Sequence, residues 1–191
     1  NLLTHSSGIP NFTSFDDYAK LKTLAATTDS LIARFRDKPL DFEPGEKYAY
    51  SNSGYILLTA IIEKASGQSY SAFLTDNIFK PLGMADTGYD SHAAIIPRRA
   101  AGYSPSAKGA VNADYLDMTI PQGAGALYST SHDLLKWQRG LFGGKLLRPE
   151  SLKAYLTPFK DNYALGVTVA AADGSTTISH GGGIEGFNTW L

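Results

Sequence analysis

The 191-residue sequence contains no cysteine. That excludes disulfides, thiolate metal sites and a cysteine nucleophile, though it does not fix a compartment. There is also no surplus of either charge. Seventeen Lys and Arg face eighteen Asp and Glu, for a net charge of −1, and Arg98-Arg99 is the only tight basic pair. Nothing in this balance suits a nucleic acid or an anionic membrane surface. No run approaches the roughly 20 apolar residues of a bilayer span, and no signal peptide is visible. Histidine is scarce, and His5, His92 and His132 lack the spacing of metal ligands, so no metal or cofactor is expected. What remains is a 43% hydrophobic chain rich in glycine and tyrosine, long enough for one globular domain with a real core. Asn1-Leu2-Leu3 opens without a polar lead-in, and Phe187 to Leu191 alternates like a strand in progress. Both ends read as interior to a larger domain.

Along the chain, Ser6-Ser7-Gly8-Ile9-Pro10-Asn11 is a turn-rich loop, and a short helix is expected near residues 29–36. Pro44-Gly45 then delivers Tyr48-Ala49-Tyr50 in extended form. Ser51, Asn52 and Ser53 offer N-cap side chains to the clearest helix, in which Leu57, Leu58, Ile61, Ile62 and Ala65 recur at helical spacing before Gly67. A second helix runs from Ser69, with Phe73, Leu74 and Ile78 inward, to Pro81-Leu82-Gly83. Residues 88–122 read as irregular. A third helix starts at Thr130, with Asp133 placed for a capping box, and Pro149 opens a fourth. The character changes after residue 160. Tyr163–Ala170 and Thr176–Ser179 are β-like runs joined by Ala172-Asp173-Gly174-Ser175, a hairpin signal. The expected fold class is α+β, with residues 1–160 mainly helical and 161–191 beginning an antiparallel sheet.

Two constellations can carry chemistry. In His180-Gly181-Gly182-Gly183, consecutive glycines let a substrate approach the backbone, whose N–H groups can stabilise an oxyanion. A glycine-rich strand edge or bulge is the alternative explanation. The same letters form the oxyanion motif of lipase-type α/β-hydrolases, but their Gly-x-Ser-x-Gly nucleophile is absent here; Gly67-Gln68-Ser69-Tyr70-Ser71 is the nearest approach. Tyr50-Ser51-Asn52 can present a phenol and an amide to one cleft. A phenol titrates near ~10 and serves as a base at neutral pH only beside a fixed cation. With 11 tyrosines in the chain, the triplet also arises readily by chance, and capping with packing explains it. His132 and the Asp16-Asp17 pair read as solvated surface.

The order of segments is more specific. Leu2-Leu3-Thr4-His5-Ser6-Ser7-Gly8 resembles the Leu-Leu-Thr-His-Thr-Ser-Gly loop of the β-lactamase-related serine hydrolases, the family of class C β-lactamases, penicillin-binding proteins, D-alanyl-D-alanine carboxypeptidases, D-amino-acid peptidases and esterases. Tyr50-Ser51-Asn52 with its flanks is similar to that family's second motif. Pro81-Leu82-Gly83-Met84 and Gly125-Ala126-Leu127-Tyr128-Ser129-Thr130 are similar to later elements. His180-Gly181-Gly182 falls where the family carries its third motif.

The resemblance implies a β-lactamase/transpeptidase-like fold and an acyl-enzyme mechanism on small ester, peptide or β-lactam substrates, with a periplasmic or extracellular home by analogy. It implies a general base at Tyr50, an amide at Asn52 that holds substrate and a lysine, and an oxyanion donor at Gly183. His180 stands where many members have lysine; a histidine is mostly neutral near pH 7, which tilts the expectation toward an esterase or D-amino-acid peptidase. The first motif, Ser-x-x-Lys, does not occur: no serine is followed three residues later by lysine. The nucleophile is therefore expected outside this chain, and the chain alone is expected to be inactive and to leave strand edges unpaired. A non-catalytic binding relative of the same fold is the alternative, with the α/β-hydrolase a further one.

Overall fold

Helix α3 (Asn52–Ser66) is the longest element of the computed structural model, which describes residues 1–191. Its buried row is Ser53, Ile56 and Thr59, three residues apart along one face. Ile61, one of the apolar residues at helical spacing, is 52% exposed. The apolar stripe of α3 is thus wider than the core it meets, and only its Ile56 side is covered. Ile56 packs with Phe12, Leu31, Phe35, Leu116 and Ile120, side chains drawn from well-separated stretches. Each such burial contributes about 1.5–3 kcal/mol. Gly67 ends α3 in the left-handed conformation, its N–H on Glu63 O at 2.9 Å.

The start of α3 departs from expectation. Ser51 occupies the N-cap, but neither it nor Ser53 caps the helix. Ser51 Oγ donates to Ile9 O, and Ser53 Oγ donates to Pro10 O while accepting from the Phe12 N–H. The free Asn52 N–H is capped from another segment, by Asn11 Oδ1 at 3.0 Å. The physical reason is that the turn at residues 9–12 has its own unpaired backbone groups, and a buried turn must satisfy them.

Around this frame, α1 (Tyr18–Leu21) and α2 (Thr28–Ile32) are short, α2 being closed by a Thr27–Ser30 capping box. Asp17, expected to be solvated, pairs with Arg34, which holds its carboxyl below the usual range. Helix α4 (Tyr70–Leu74) continues through a π turn at Thr75–Phe79 into α5 (Lys80–Leu82). Pro81 has no N–H for the Asn77 carbonyl and crowds it, which accounts for the widened turn. Gly83 (φ 67°) then sends Met84 back onto Leu74 and Phe79, forming a second small core covered by Trp137.

Helix α6 (Ser131–Phe142) is capped by Thr130 Oγ1, which accepts from Asp133 N–H at 3.2 Å. The expected return bond of a capping box is absent. The buried Asp133 carboxylate instead accepts from Asp86 N–H (2.8 Å), the Thr87 hydroxyl (2.9 Å) and Lys136 Nζ (2.7 Å). It ties α6 to the turn after α5, and these donors keep its pKa low against the opposing effect of burial. Helix α7 (Pro149–Tyr155) starts on its proline as expected.

Strands pair two by two, all antiparallel: β1 (Gly88–Tyr89) with β4 (Leu127–Tyr128), β2 (Tyr103–Ser106) with β3 (Gly109–Asn112), β5 (Thr168–Ala172) with β6 (Ser175–Ser179), and β7 (Gly181–Ile184) with β8 (Phe187–Trp190). The β2–β3 hairpin corrects the reading of residues 88–122 as wholly irregular; its alternation is too short and too polar to stand out. The β5–β6 turn is as expected, with Asp173 and Gly174 both at positive φ. Strand β5 begins only at Thr168, because Asp161, Asn162 and Gly166 all take positive φ and break the extended run. No helix is long and apolar enough to cross a membrane.

Removing the Asp133 carboxylate leaves three donors without their common acceptor. Hydrogen bonds to a charged group are worth about 1.5–3 kcal/mol, so Asp133→Ala is expected to lower the unfolding free energy by about 2–3 kcal/mol. A urea titration reads this directly, and an unshifted midpoint would contradict it.

Candidate active site

The loop at residues 4–8 is buried because it is zipped to the extended segment before α3. Gly45 N–H donates to Ser6 O (2.7 Å), Asp41 N–H to Gly8 O (2.8 Å) and Ala49 N–H to His5 O (2.8 Å). His5 closes the zip from its side chain: Nδ1 accepts the Ser51 N–H at 3.0 Å. The two amides flanking Tyr50 are therefore both held by one residue. The His5 ring lies 4.0 Å from the Tyr50 ring, centroid to centroid, and 4.9 Å from Tyr55. With Nδ1 accepting, the single proton of the neutral imidazole sits on Nε2. His5 is nearly fully buried. Burial first, and His180 second, push its pKa from the ordinary 6.5 down to about 4. Sequence reasoning excluded His5 as a metal ligand and assigned it no other role. The signal that could have found it is the loop motif itself, a histidine set among small residues just before a glycine turn.

Tyr50 is 44% exposed at its outer edge, and burial of the remainder raises the pKa of its phenol. It faces His180 at 6.5 Å between ring centroids. His180 is pinned twice. Its backbone exchanges hydrogen bonds with Leu191 (3.0 and 3.1 Å), and its Nε2 is 3.0 Å from the Tyr163 hydroxyl. Tyr163 is itself buried, and desolvation followed by the neighbouring Tyr55 pushes its phenol far up. It is thus a neutral hydroxyl under all ordinary conditions. Burial likewise takes Tyr55 to about 12.

Asn52 is on the first turn of α3. Its Nδ2 donates to Thr13 Oγ1 at 3.1 Å, which leaves its carbonyl oxygen free. It shares a cavity of about 510 Å³ with Gly183 and with Thr13, Tyr18, Glu185 and Asn188. The structure thus brings Tyr50 to His180 and Asn52 to Gly183, two pairs from segments over a hundred residues apart.

The glycines of β7 serve a purpose that the sequence did not disclose. A Cβ on Gly182 would meet Thr189 Oγ1 at 2.7 Å, and one on Gly181 would meet the Trp190 ring at 3.1 Å. Their bareness makes room for the neighbouring strand. Gly183, whose Cβ would make only ordinary contact, is different. His180 and Leu191 exchange both backbone bonds, so bonded pairs alternate down the hairpin. Gly182↔Thr189 is again bonded, and Gly183↔Asn188 is not. The Gly183 N–H therefore points away from β8, available as a donor. The hairpin turn is fixed by Gly186 (φ 76°), on which a Cβ would strike Tyr103 N at 2.5 Å and Gly102 Cα at 2.6 Å.

This fold and this pairing of a tyrosine–asparagine helix start with a His-Gly-Gly strand define a class. The chain belongs to the Beta-lactamase family, which matches residues 1–191, and its fold is β-lactamase/transpeptidase-like. It is 31% identical over 189 residues to the putative penicillin-binding protein PbpX of Bacillus subtilis (strain 168), covering 98% of this chain and 45% of that protein. Among solved structures, a D-stereospecific amidohydrolase from Streptomyces sp. is 28% identical with a TM-score of 0.83, covering 97% of this chain and 60% of that one. The D-amino acid amidase of Ochrobactrum anthropi SV3, solved with D-phenylalanine, is 28% identical with a TM-score of 0.80, covering 97% and 58%. The chain spans about half the length of the curated relatives it matches. Membership in this family displaces the α/β-hydrolase alternative for the His-Gly-Gly-Gly run.

The unfolded chain binds a proton at His5 below about pH 6.5, and the folded chain does so only near 4. Folding stability is therefore expected to fall as pH drops from about 6.5, with the loss levelling off below about 4. Thermal unfolding of the wild type and His5→Gln at a series of pH values checks this. The wild-type midpoint should fall more steeply on the acid side, and parallel curves would refute the assignment.

Proposed function

We propose that this chain supplies the base and the oxyanion donor of a serine acyl hydrolase that acts through an acyl-enzyme on D-amino-acid amides, peptides and esters. The observation that carries this reading is the convergence of Tyr50 and Asn52 with β7, where the Gly183 N–H is left unused by its partner strand. The serine nucleophile and its lysine come from a segment outside these 191 residues. On attack, the serine hydroxyl gives its proton to Tyr50 while its oxygen bonds to the carbonyl carbon. The carbonyl oxygen, now an anion, takes the Gly183 N–H together with that of the serine. Tyr50 then passes the proton to the leaving amine or alkoxide as the acyl-enzyme forms, and water reverses the sequence.

The electrostatics of the half-site support this division of labour. Burial raises the pKa of Tyr50, so the phenolate forms only when a lysine ammonium stands beside it. Asn52 is suited to hold that ammonium with its free carbonyl oxygen. His180, oriented by Tyr163, provides a directed ring nitrogen in place of the flexible cation of lysine. That favours amide and ester substrates over the carboxylate-bearing β-lactams, which remain a lesser substrate class. The neighbouring D-amino-acid amidases support the choice of acyl group.

The test uses the full-length protein. A fluorophosphonate or penicillin probe should label a single serine, and Tyr50→Phe should lower turnover of a D-amino-acid amide or p-nitrophenyl ester by about 10²–10⁴-fold. No labelling, with Tyr50→Phe indistinguishable from wild type, would leave the non-catalytic binding relative as the correct reading.

A further inference from the structure

The cavity shared by Asn52 and Gly183 has an uneven chemistry. Among its lining residues, Glu185 alone carries charge; the others that matter here are Thr13, Tyr18 and Asn188. No lysine or arginine lines it. Glu185 Oε1 is held by Lys22 Nζ at 2.9 Å, and the same ammonium reaches Asp114 at 3.2 Å. Two carboxylates thus share one cation, which leaves one negative charge uncompensated. The second Glu185 oxygen has no partner within the chain, and the side chain is only 23% exposed. A partly desolvated carboxylate oxygen of this kind gains most from a charged donor.

We propose that this cavity receives the acyl side of the substrate and that Glu185 selects acyl groups bearing a protonated amine next to the scissile carbonyl. The inference rests on the acyl-hydrolase reading above for the position of the carbonyl. With that carbonyl at the Gly183 N–H, the acyl chain has Asn52 on one side and the end of β7 on the other. Glu185 is two residues beyond Gly183, at the first position of the β7–β8 turn, and both residues line this one cavity. The Tyr18 ring is on the same wall. Burial first, and Glu185 second, raise its phenol pKa, so the ring stays neutral beside the carboxylate. Of this chain's own charged residues, an acyl group carrying a carboxylate would meet only Glu185 in the cavity wall.

Binding, rather than turnover, tests this. Amides of D-phenylalanine and N-acetyl-D-phenylalanine differ in whether an ammonium is present, provided the pH is held below the α-amino pKa of roughly 7.7–8.0. Titrated into the full-length protein, with any probe-labelled serine replaced by alanine, and followed by NMR, the cationic amide should bind about tenfold or more tightly than the acetylated one, a difference of about 1.4 kcal/mol. Glu185→Gln should bring the ratio close to one. Lys22→Met, which frees both Glu185 oxygens, should raise it, a change of opposite sign that partial unfolding cannot imitate. Equal binding of the two amides by the wild type, binding of neither, or a ratio that both variants leave unchanged would overturn the proposal. The result is separable from that for the hydrolase. Loss of probe labelling with the binding ratio intact defeats catalysis and keeps the ammonium pocket, and the reverse result defeats the pocket alone.

Discussion

The Ser51 N–H to His5 Nδ1 bond, together with the Ala49 N–H to His5 O bond, is the constraint on which the site depends. One residue of a buried loop grips the backbone on both sides of Tyr50 and sets its own ring against the phenol. An exposed extended segment would otherwise let Tyr50 swing relative to His180, which it faces at 6.5 Å. The grip requires an unprotonated imidazole, because a charged ring has no lone pair for Ser51. Burial provides that condition. Packing, tautomer and orientation are thus one arrangement: the same burial that keeps His5 neutral also presses Tyr55 and Tyr163 around it.

These tyrosines connect the two halves of the site. Tyr163 contacts His5 on one side and hydrogen-bonds His180 on the other. The position of β7 relative to α3 is therefore sensed through a cluster of aromatic rings. Such a cluster is stiff, with few rotamers and large contact areas. It suits a site assembled from segments far apart in sequence.

Much of this was legible in the sequence. The long helix, its glycine stop, the Asp173-Gly174 hairpin and the segments that carry the family resemblance all rest on local signals, and local signals survive folding. The capping of α3 did not, because Asn11 does the work that Ser51 was positioned to do, and a cap from a distant segment leaves no trace in spacing. Asp133 was misread for the same reason: its partners, Asp86 and Thr87, are on another element. The buried face of α3 was only partly visible, since hydrophobic periodicity shows which residues could be buried and tertiary contacts select among them. Tyr50, Asn52 and His180–Gly183 could be named from motifs, and His5 lies in one whose grip on Tyr50 only coordinates reveal, whereas Tyr163 and Glu185 required coordinates throughout.

The alternation of bonds along β7 and β8 has a consequence for how this hairpin can vary. A shift of one residue in the pairing would flip every side chain of one strand to its opposite face; were β7 the strand that turned, the Gly183 N–H would face β8. Gly186, wedged against Gly102, stops that slip. The turn works as a ratchet pawl. The identity of the residues it joins can drift more freely than its length, because a single insertion or deletion at residues 185–186 changes which residues of β7 and β8 face each other.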